Sequence, residues 1–289
     1  MTTSSAIAIV ADTGCDLPPA VLARYGIGQV SLTVRFGEYE ILDTPETRSE
    51  FWDLYDVSQP PQSAGPSIGA WTDAYESALE RADEVIVVTI TSKHSSTFSS
   101  AVVAANQFSG RVHVFDSWSL SLGEGILAMH AAQLAEAGRS VEEILAALIS
   151  WRERMRVFIL LDTVEAIQRG GRVAPIMAAL KRASSMFSIK PILTIKEGAL
   201  SLEGVVRSRK KGFNRLVRRL EGHQVEALAV AHTRNPEQAQ RLADVAASVV
   251  AYPHSELMMV EAGPALAVHA GIGVLGMGFV ESLEVAPSD

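Results

Sequence analysis

Glu84-Val85-Ile86-Val87-Val88-Thr89-Ile90, followed at once by Thr91-Ser92-Lys93-His94-Ser95-Ser96-Thr97, decides how this chain reads. The first part is a short β-branched apolar run, the pattern of a strand buried on both faces of a parallel sheet. The second part carries five hydroxyls in seven residues at a strand-to-helix joint. Open α/β sheets bind ligands at the carboxyl ends of their strands, and the amides that open the next helix favour an anion. Ordinary N-capping explains one or two of these hydroxyls and leaves the rest over.

The same alternation continues outward. Ala6 to Ala11 (AIAIVA) reads as a strand, followed by the polar turn Asp12-Thr13-Gly14-Cys15-Asp16 and a short helix from Pro18. Gly28 to Phe36 reads as one further strand. Thr44-Pro45-Glu46 is a helix start, and Ser67 caps a helix with Trp71, Ala74, Tyr75 and Ala78 on one face. Val112 to Phe115 is a strand. A helix over 120–137 ends at Gly138, and Ser140 with Glu143 forms a capping box for the next. Beyond Arg156, Val157 to Leu161 reads as a strand. Ile189 to Ile195 and Leu200 to Val206 form a hairpin, and Val225 to Ala231, Glu256 to Val260 and Val274 to Val280 supply more strands. Alternating β and α with short joints predicts an α/β fold.

A length of 289 residues favours two domains. The shift near Arg156 divides them into 1–155, an α/β domain with a parallel sheet and flanking helices, and 156–289, an α/β domain with a mixed sheet. A net charge of −8 argues against general nucleic-acid affinity, which rests on basic surface. Cys15 is the only cysteine, so no internal disulfide forms. No stretch approaches the ~20 apolar residues of a membrane span. The start of the chain has no signal-type pattern. The expectation is a cytoplasmic protein with no integral membrane segment and no nucleic-acid partner.

Two tempting patterns fail on context. Asp12-Thr13-Gly14 spells an aspartic-protease tripeptide, but that chemistry needs a second carboxylate of the same kind and no second copy exists. Gly271-Ile272-Gly273-Val274-Leu275-Gly276 spells a dinucleotide fingerprint, but it precedes a strand rather than a helix. The seven histidines show no paired ligand spacing, so neither a metal nor another cofactor is expected. Three other segments remain as candidates: Gln62-Ser63-Ala64-Gly65-Pro66-Ser67; Arg169-Gly170-Gly171-Arg172, whose arginines face either solvent or an anion; and Gly263 to Gly271 around His269. A lone histidine in such surroundings is ordinarily structural.

These segments, in this order, resemble the DegV family. The resemblance is carried by Asp12-Thr13-Gly14-Cys15-Asp16-Leu17, Ser63 to Ser67, Ser95-Ser96-Thr97, Asp162-Thr163 with Arg169 to Arg172, Arg207-Ser208-Arg209-Lys210-Lys211, and His269 to Gly273. It spans roughly residues 6 to 280. It implies two α/β domains holding a long-chain fatty acid between them. The carboxylate would lie near Ser63, Ser95 and His269, with Thr97 in the same joint. The resemblance further implies that the bound acid is presented to a separate ATP-using fatty acid kinase, with Arg169 matching the arginine associated with the transfer. Ala64, Ser96, Ala270 and Ile272 depart from the family's usual residues, as does the missing Asp-Gly near Glu40-Ile41-Leu42.

A slot for the tail is expected from Ile176, Met177, Leu180, Met186, Phe187, Leu193 and Ile195, although ordinary core is the simpler reading of most of them. On a helix Lys211, Arg215 and Arg218 share a face, which reads first as solvated and second as a docking patch for an acidic partner or an anionic membrane surface. Two other functions stay open. Ser95 as nucleophile with His269 as base would make a hydrolase or acyltransferase, although Ser95 lacks the G-x-S-x-G elbow. A lipid sensor without a kinase partner is the other. The chain has no Walker-type phosphate loop of its own.

Overall fold

The computed structural model describes residues 6–55, 60–164 and 189–283. Its first sheet is wholly parallel: β1 (Ile7–Asp12), β2 (Gly28–Val30), β6 (Glu84–Thr89) and β7 (Val112–Asp116), in the order β2-β1-β6-β7. The chain leaves β1 towards β2 and returns on its other side at β6. The strand order thus reverses between β1 and β6, where such sheets open a crevice. Helices α1 (Pro19–Tyr25), α3 (Ile68–Leu79) and α4 (Thr97–Ala105) accompany this sheet. Trp71, Tyr75 and Ala78 of α3 are buried, and Ser67 caps that helix through the Ala70 amide at 3.1 Å.

The expected single strand over Gly28 to Phe36 is corrected to two. β2 ends at Val30, and β3 (Thr33–Phe36) joins β4 (Tyr39–Leu42) and β5 (Gln62–Ala64) in a separate antiparallel sheet, order β4-β3-β5. Buried Leu32 sits at the crossing, and its amide donates to Thr13 Oγ1 at 3.0 Å. The helix expected at Thr44 begins later, as α2 (Arg48–Tyr55), because 44–47 close a turn on the Thr47 hydroxyl.

The third sheet is mixed: β8 (Met155–Leu160), β9 (Lys190–Lys196), β10 (Ala199–Val206), β11 (Val225–His232), β12 (Met258–Glu261) and β13 (Leu275–Glu281), in the order β10-β9-β8-β13-β11-β12. Only β11 and β12 run parallel in it. Helices α7 (Arg209–Arg218), α8 (Pro236–Val249) and α9 (Pro264–Ala270) belong to this half.

Helix α5 (Leu122–Glu136) lies between the parallel and mixed sheets. Its Leu122, Ile126, Leu127 and Ala131 share one core with Ile9, Ile86 and Val88 on one side and Val157, Ala229 and Val280 on the other. A helix enclosed in this way is buried on every face rather than along one stripe, and 122–128 are buried without a break. Helix α6 (Val141–Arg154) follows, with the expected capping box between Ser140 and Glu143.

Candidate functional site

The carboxyl ends of β1, β6 and β7 deliver three loops to one place. Asp12 ends β1 and is fully buried. Its two oxygens accept from the Gly14 amide at 2.9 Å and the Ile90 amide at 2.8 Å, fastening β1 to the hydroxyl-rich loop across the point where strand order reverses. Burial pushes its carboxyl up to about 7 against the pull of those amides. Glu124 of α5 faces it. Burial, and then the charges of Asp12 and Asp16, hold Glu124 well above the usual carboxylate range. Its oxygens find no hydrogen-bond partner among the described residues, so burial and the neighbouring carboxyls act on it unopposed and favour its neutral form.

In the loop after β6, Ser95 Oγ accepts from the Thr97 amide at 3.2 Å and lies 2.7 Å from Thr97 Oγ1. Thr97 is fully buried against Gly65, where a Cβ would stand 2.7 Å from Thr97 Oγ1. The glycine thus lets the Ser63 segment lie directly on the Ser95 segment. Ser63, in β5, lies 2.7 Å from Nε2 of His269, in the last turn of α9.

Ser63, Ser95 and His269 all line one cavity of about 430 Å³, whose walls are otherwise mainly apolar. Leu161, Leu193, Leu200 and Val157 line it from the mixed sheet, and Leu266 and Ala270 from α9. The cavity volume lies within the usual range for small-molecule sites. Thr97 is not a lining residue and instead orders Ser95. Of the expected tail residues, Leu193 lines the cavity, whereas Ile195 packs against the central core. Ile176, Met177, Leu180, Met186 and Phe187 lie outside the described residues, as do Arg169 and Arg172.

The cavity also gathers residues that motif reading missed: His94, Ser121, His232 and Thr233. His94 Nε2 accepts the Leu200 amide at 2.8 Å, and Thr91 Oγ1 donates to the Gly198 carbonyl at 2.8 Å. Together they pin the β9–β10 hairpin onto the loop after β6. Burial pulls His232 below its ordinary pKa, and its Nδ1 accepts the Asn235 amide. Ser121 has φ 49° and ψ −129°, an uncommon conformation for a residue with a side chain. Its hydroxyl donates to Asp16 Oδ2 at 2.5 Å. The nearest sequence signal was Ser117-Trp118-Ser119-Leu120-Ser121, at the third strand end of the same sheet edge.

The bond that a serine nucleophile would need from its base joins His269 to Ser63, while Ser95 pairs with Thr97. The basic stretch is not a uniform solvated row. Arg215 donates to the Glu203 carbonyl, Arg219 pairs with the Glu203 carboxylate, and Arg209 pairs with Asp162 at 3.0 Å. A separate crevice of about 730 Å³ is lined by Tyr25, Met129, Trp151 and Tyr252, with His130 stacked on Trp151. Among the described residues no group of ligating side chains could hold a metal, and no helix is long and apolar enough to cross a membrane.

Comparison with known proteins supplies the family. A DegV domain-containing protein of Deinococcus radiodurans is 32% identical over 277 residues, covering 94% of this chain and 97% of its own length. The solved structure of a DegV family protein from Thermus thermophilus, described by its fatty-acid binding, superposes with a TM-score of 0.86 at 30% identity, covering 96% of this chain and 99% of that one. A DegV family protein from Eubacterium eligens, loaded with heptadecanoic acid, superposes with a TM-score of 0.83 at 26% identity, covering 96% and 100%. The model of the family described as "Uncharacterised protein, DegV family" matches residues 6–282, and on that span the chain belongs to the DegV family.

Proposed function

We propose that this protein binds a long-chain fatty acid in the 430 Å³ cavity. The carboxylate is held by Ser63, Ser95 and His269, and the tail runs along the wall that includes Val157, Leu161 and Leu193. The observation that carries this reading is the Ser63–His269 pair in the wall of a mainly apolar cavity. Hydroxyls and an imidazole can take up a carboxylate that would otherwise be buried unpaired. The fatty acids bound by the Thermus and Eubacterium relatives support the same ligand class.

The energetics fit. Burying a tail of about fifteen methylenes at ~0.8 kcal/mol each yields roughly 12 kcal/mol gross. Association costs ~4–15 kcal/mol. The tail thus drives binding, and the polar groups fix which end goes where. The finer reading is that the chain catalyses nothing itself and presents the acid to a separate ATP-using kinase, Arg169 matching the arginine that the family associates with the transfer. It follows the family resemblance, whereas the division into 1–155 and 156–289 around the ligand follows the shift in the sequence near Arg156.

The experiment is to denature purified protein, extract it with organic solvent and identify released lipids by mass spectrometry. A fatty acid at near one per chain supports the proposal. An extract that stays empty after free fatty acids have been offered sinks it. Turnover of an ester by the purified chain, lost in Ser95→Ala, would favour the hydrolase instead.

A further inference from the structure

Helix α9 is only two turns long, yet it carries His269, and two buried carboxylates from the other half of the chain hold its start. Asp16, in the turn after β1, accepts the Gly263 amide on Oδ1 at 2.8 Å across 247 residues of sequence. Asp43, in the loop after β4, sets its carboxyl against the same start, and the nearby Ala265 amide draws its pKa down against burial. The fit is close: a Cβ on Gly263 would lie 2.4 Å from Asp43 Oδ1, so any side chain there would push the Asp43 carboxyl aside.

Each carboxylate is itself held. Ser121 donates to the second oxygen of Asp16 from its unusual backbone conformation, and Thr13 Oγ1 lies 3.3 Å from Asp43 Oδ2. Thr13 Oγ1 also takes the Leu32 amide, which links the cluster to the chain that runs into β3. β3 pairs with β5, the strand of Ser63. One network therefore anchors both members of the Ser63–His269 pair.

From this we infer that Asp16 and Asp43 are positioning residues for the carboxylate site, setting the place of His269 by fixing the first turn of α9. A stability role alone does not account for them. Both are almost fully buried, and desolvation pushes Asp16 up to about 6 and Asp43 to about 8 with Arg48 as an offsetting cation. Buried carboxyl groups, charged or kept protonated, are often neutral or costly for stability next to apolar replacements, so what they add is orientation. Amides at a helix start are also natural partners for carboxylates, which explains the choice of side chain.

The inference rests on the fatty-acid reading for its consequence but not for its geometry, and the test separates the two. In ligand-free protein, ¹⁵N NMR of the histidine rings reads the Ser63–His269 contact directly. Asp16→Ala and Asp43→Ala should each move the His269 ring resonances towards those of Ser63→Ala, leaving those of remote His113 and His254 in place. Asp16→Asn, which keeps an acceptor for Gly263, should partly restore them. If either alanine variant fails to fold, Ser121→Ala loosens Asp16 without removing it and should shift His269 in the same direction. Unmoved His269 resonances in the folded variants overturn the inference whatever the ligand.

The second readout is affinity for palmitate against 1-hexadecanol, which has the same tail length and no carboxylate. Asp16→Ala should lower palmitate affinity about tenfold or more, the loss expected when a hydrogen bond to a charged group is misplaced. Hexadecanol affinity should change little. Equal weakening of both ligands would make the residues merely structural and overturn the inference. Wild-type protein that binds neither ligand overturns the fatty-acid reading, and the NMR result then decides the positioning role alone.

Discussion

His269 Nε2 and Ser63 Oγ lie 2.7 Å apart although 206 residues separate them in sequence. The pair joins a strand of the small antiparallel sheet to a helix of the C-terminal half, and both residues line the same cavity as Ser95. On the fatty-acid proposal, replacing either with alanine removes a polar contact to the ligand carboxylate, worth ~1.5–3 kcal/mol for a charged acceptor. Ser63→Ala and His269→Ala should therefore each weaken palmitate binding by about 10- to 100-fold with the fold retained. Titration calorimetry with circular dichroism checks this, and unchanged affinity in both would remove the pair from the site.

Ligand removal should be visible in stability. A ligand that binds only the folded state adds about 2.7 kcal/mol when present at 100 times its Kd. Delipidated protein should therefore melt several degrees below protein resupplied with palmitate. Addition of a short-chain acid, which buries few methylenes, should raise Tm much less. Equal shifts from both acids would mean that the apolar wall takes no part.

The buried acids set a pH dependence. Burial, as the largest cause in each case, raises Asp16 to about 6, Asp12 to about 7 and Asp43 to about 8, from an ordinary value of 3.8. The folded state thus holds protons that the unfolded chain releases. Their contribution to stability is complete below the unfolded value and is lost as pH rises through the folded ones. Thermal melts should show Tm falling between about pH 5 and pH 8, and Asp43→Asn should flatten the upper part of that fall. A wild-type Tm that climbs across this range would contradict the assignment.

The capping box of α6 provides a control away from the cavity. Ser140 accepts the Glu143 amide while the Glu143 carboxylate takes the Ser140 amide. Ser140→Ala should cost about 1 kcal/mol of stability, seen as a lower midpoint in urea, and leave palmitate affinity unchanged. A loss of affinity there would tie ligand binding to global stability rather than to the site.

Much of this architecture was legible because buried parallel strands leave a plain mark. Glu84 to Ile90 and Val225 to Ala231 have little polar content to confuse their reading, and the capping signals at Ser67 and Ser140 are local. Gly28 to Phe36 misled because apolar alternation continues through Leu32 while the chain passes from one sheet to another, an event governed by contacts distant in sequence. The segments of Ser63, Ser95 and His269 drew notice for their hydroxyls and glycines, but the three residues themselves were picked out by the DegV resemblance, since a lone histidine reads as structural. Asp16 and Asp43 did not, because a carboxylate in a turn looks the same whether it meets water or an amide 247 residues away. Helix α9 was equally hidden, since its seven residues between glycines show no helical period.

The most direct test of the central claim is a crystal structure of the protein grown with palmitate. The carboxylate should appear within hydrogen-bond reach, about 3 Å, of Ser63, Ser95 and His269, with the tail beside Leu161 and Leu193. Density for the lipid in the crevice beside Trp151 and Tyr252, or a carboxylate at the opposite end of the cavity from His269, would contradict it.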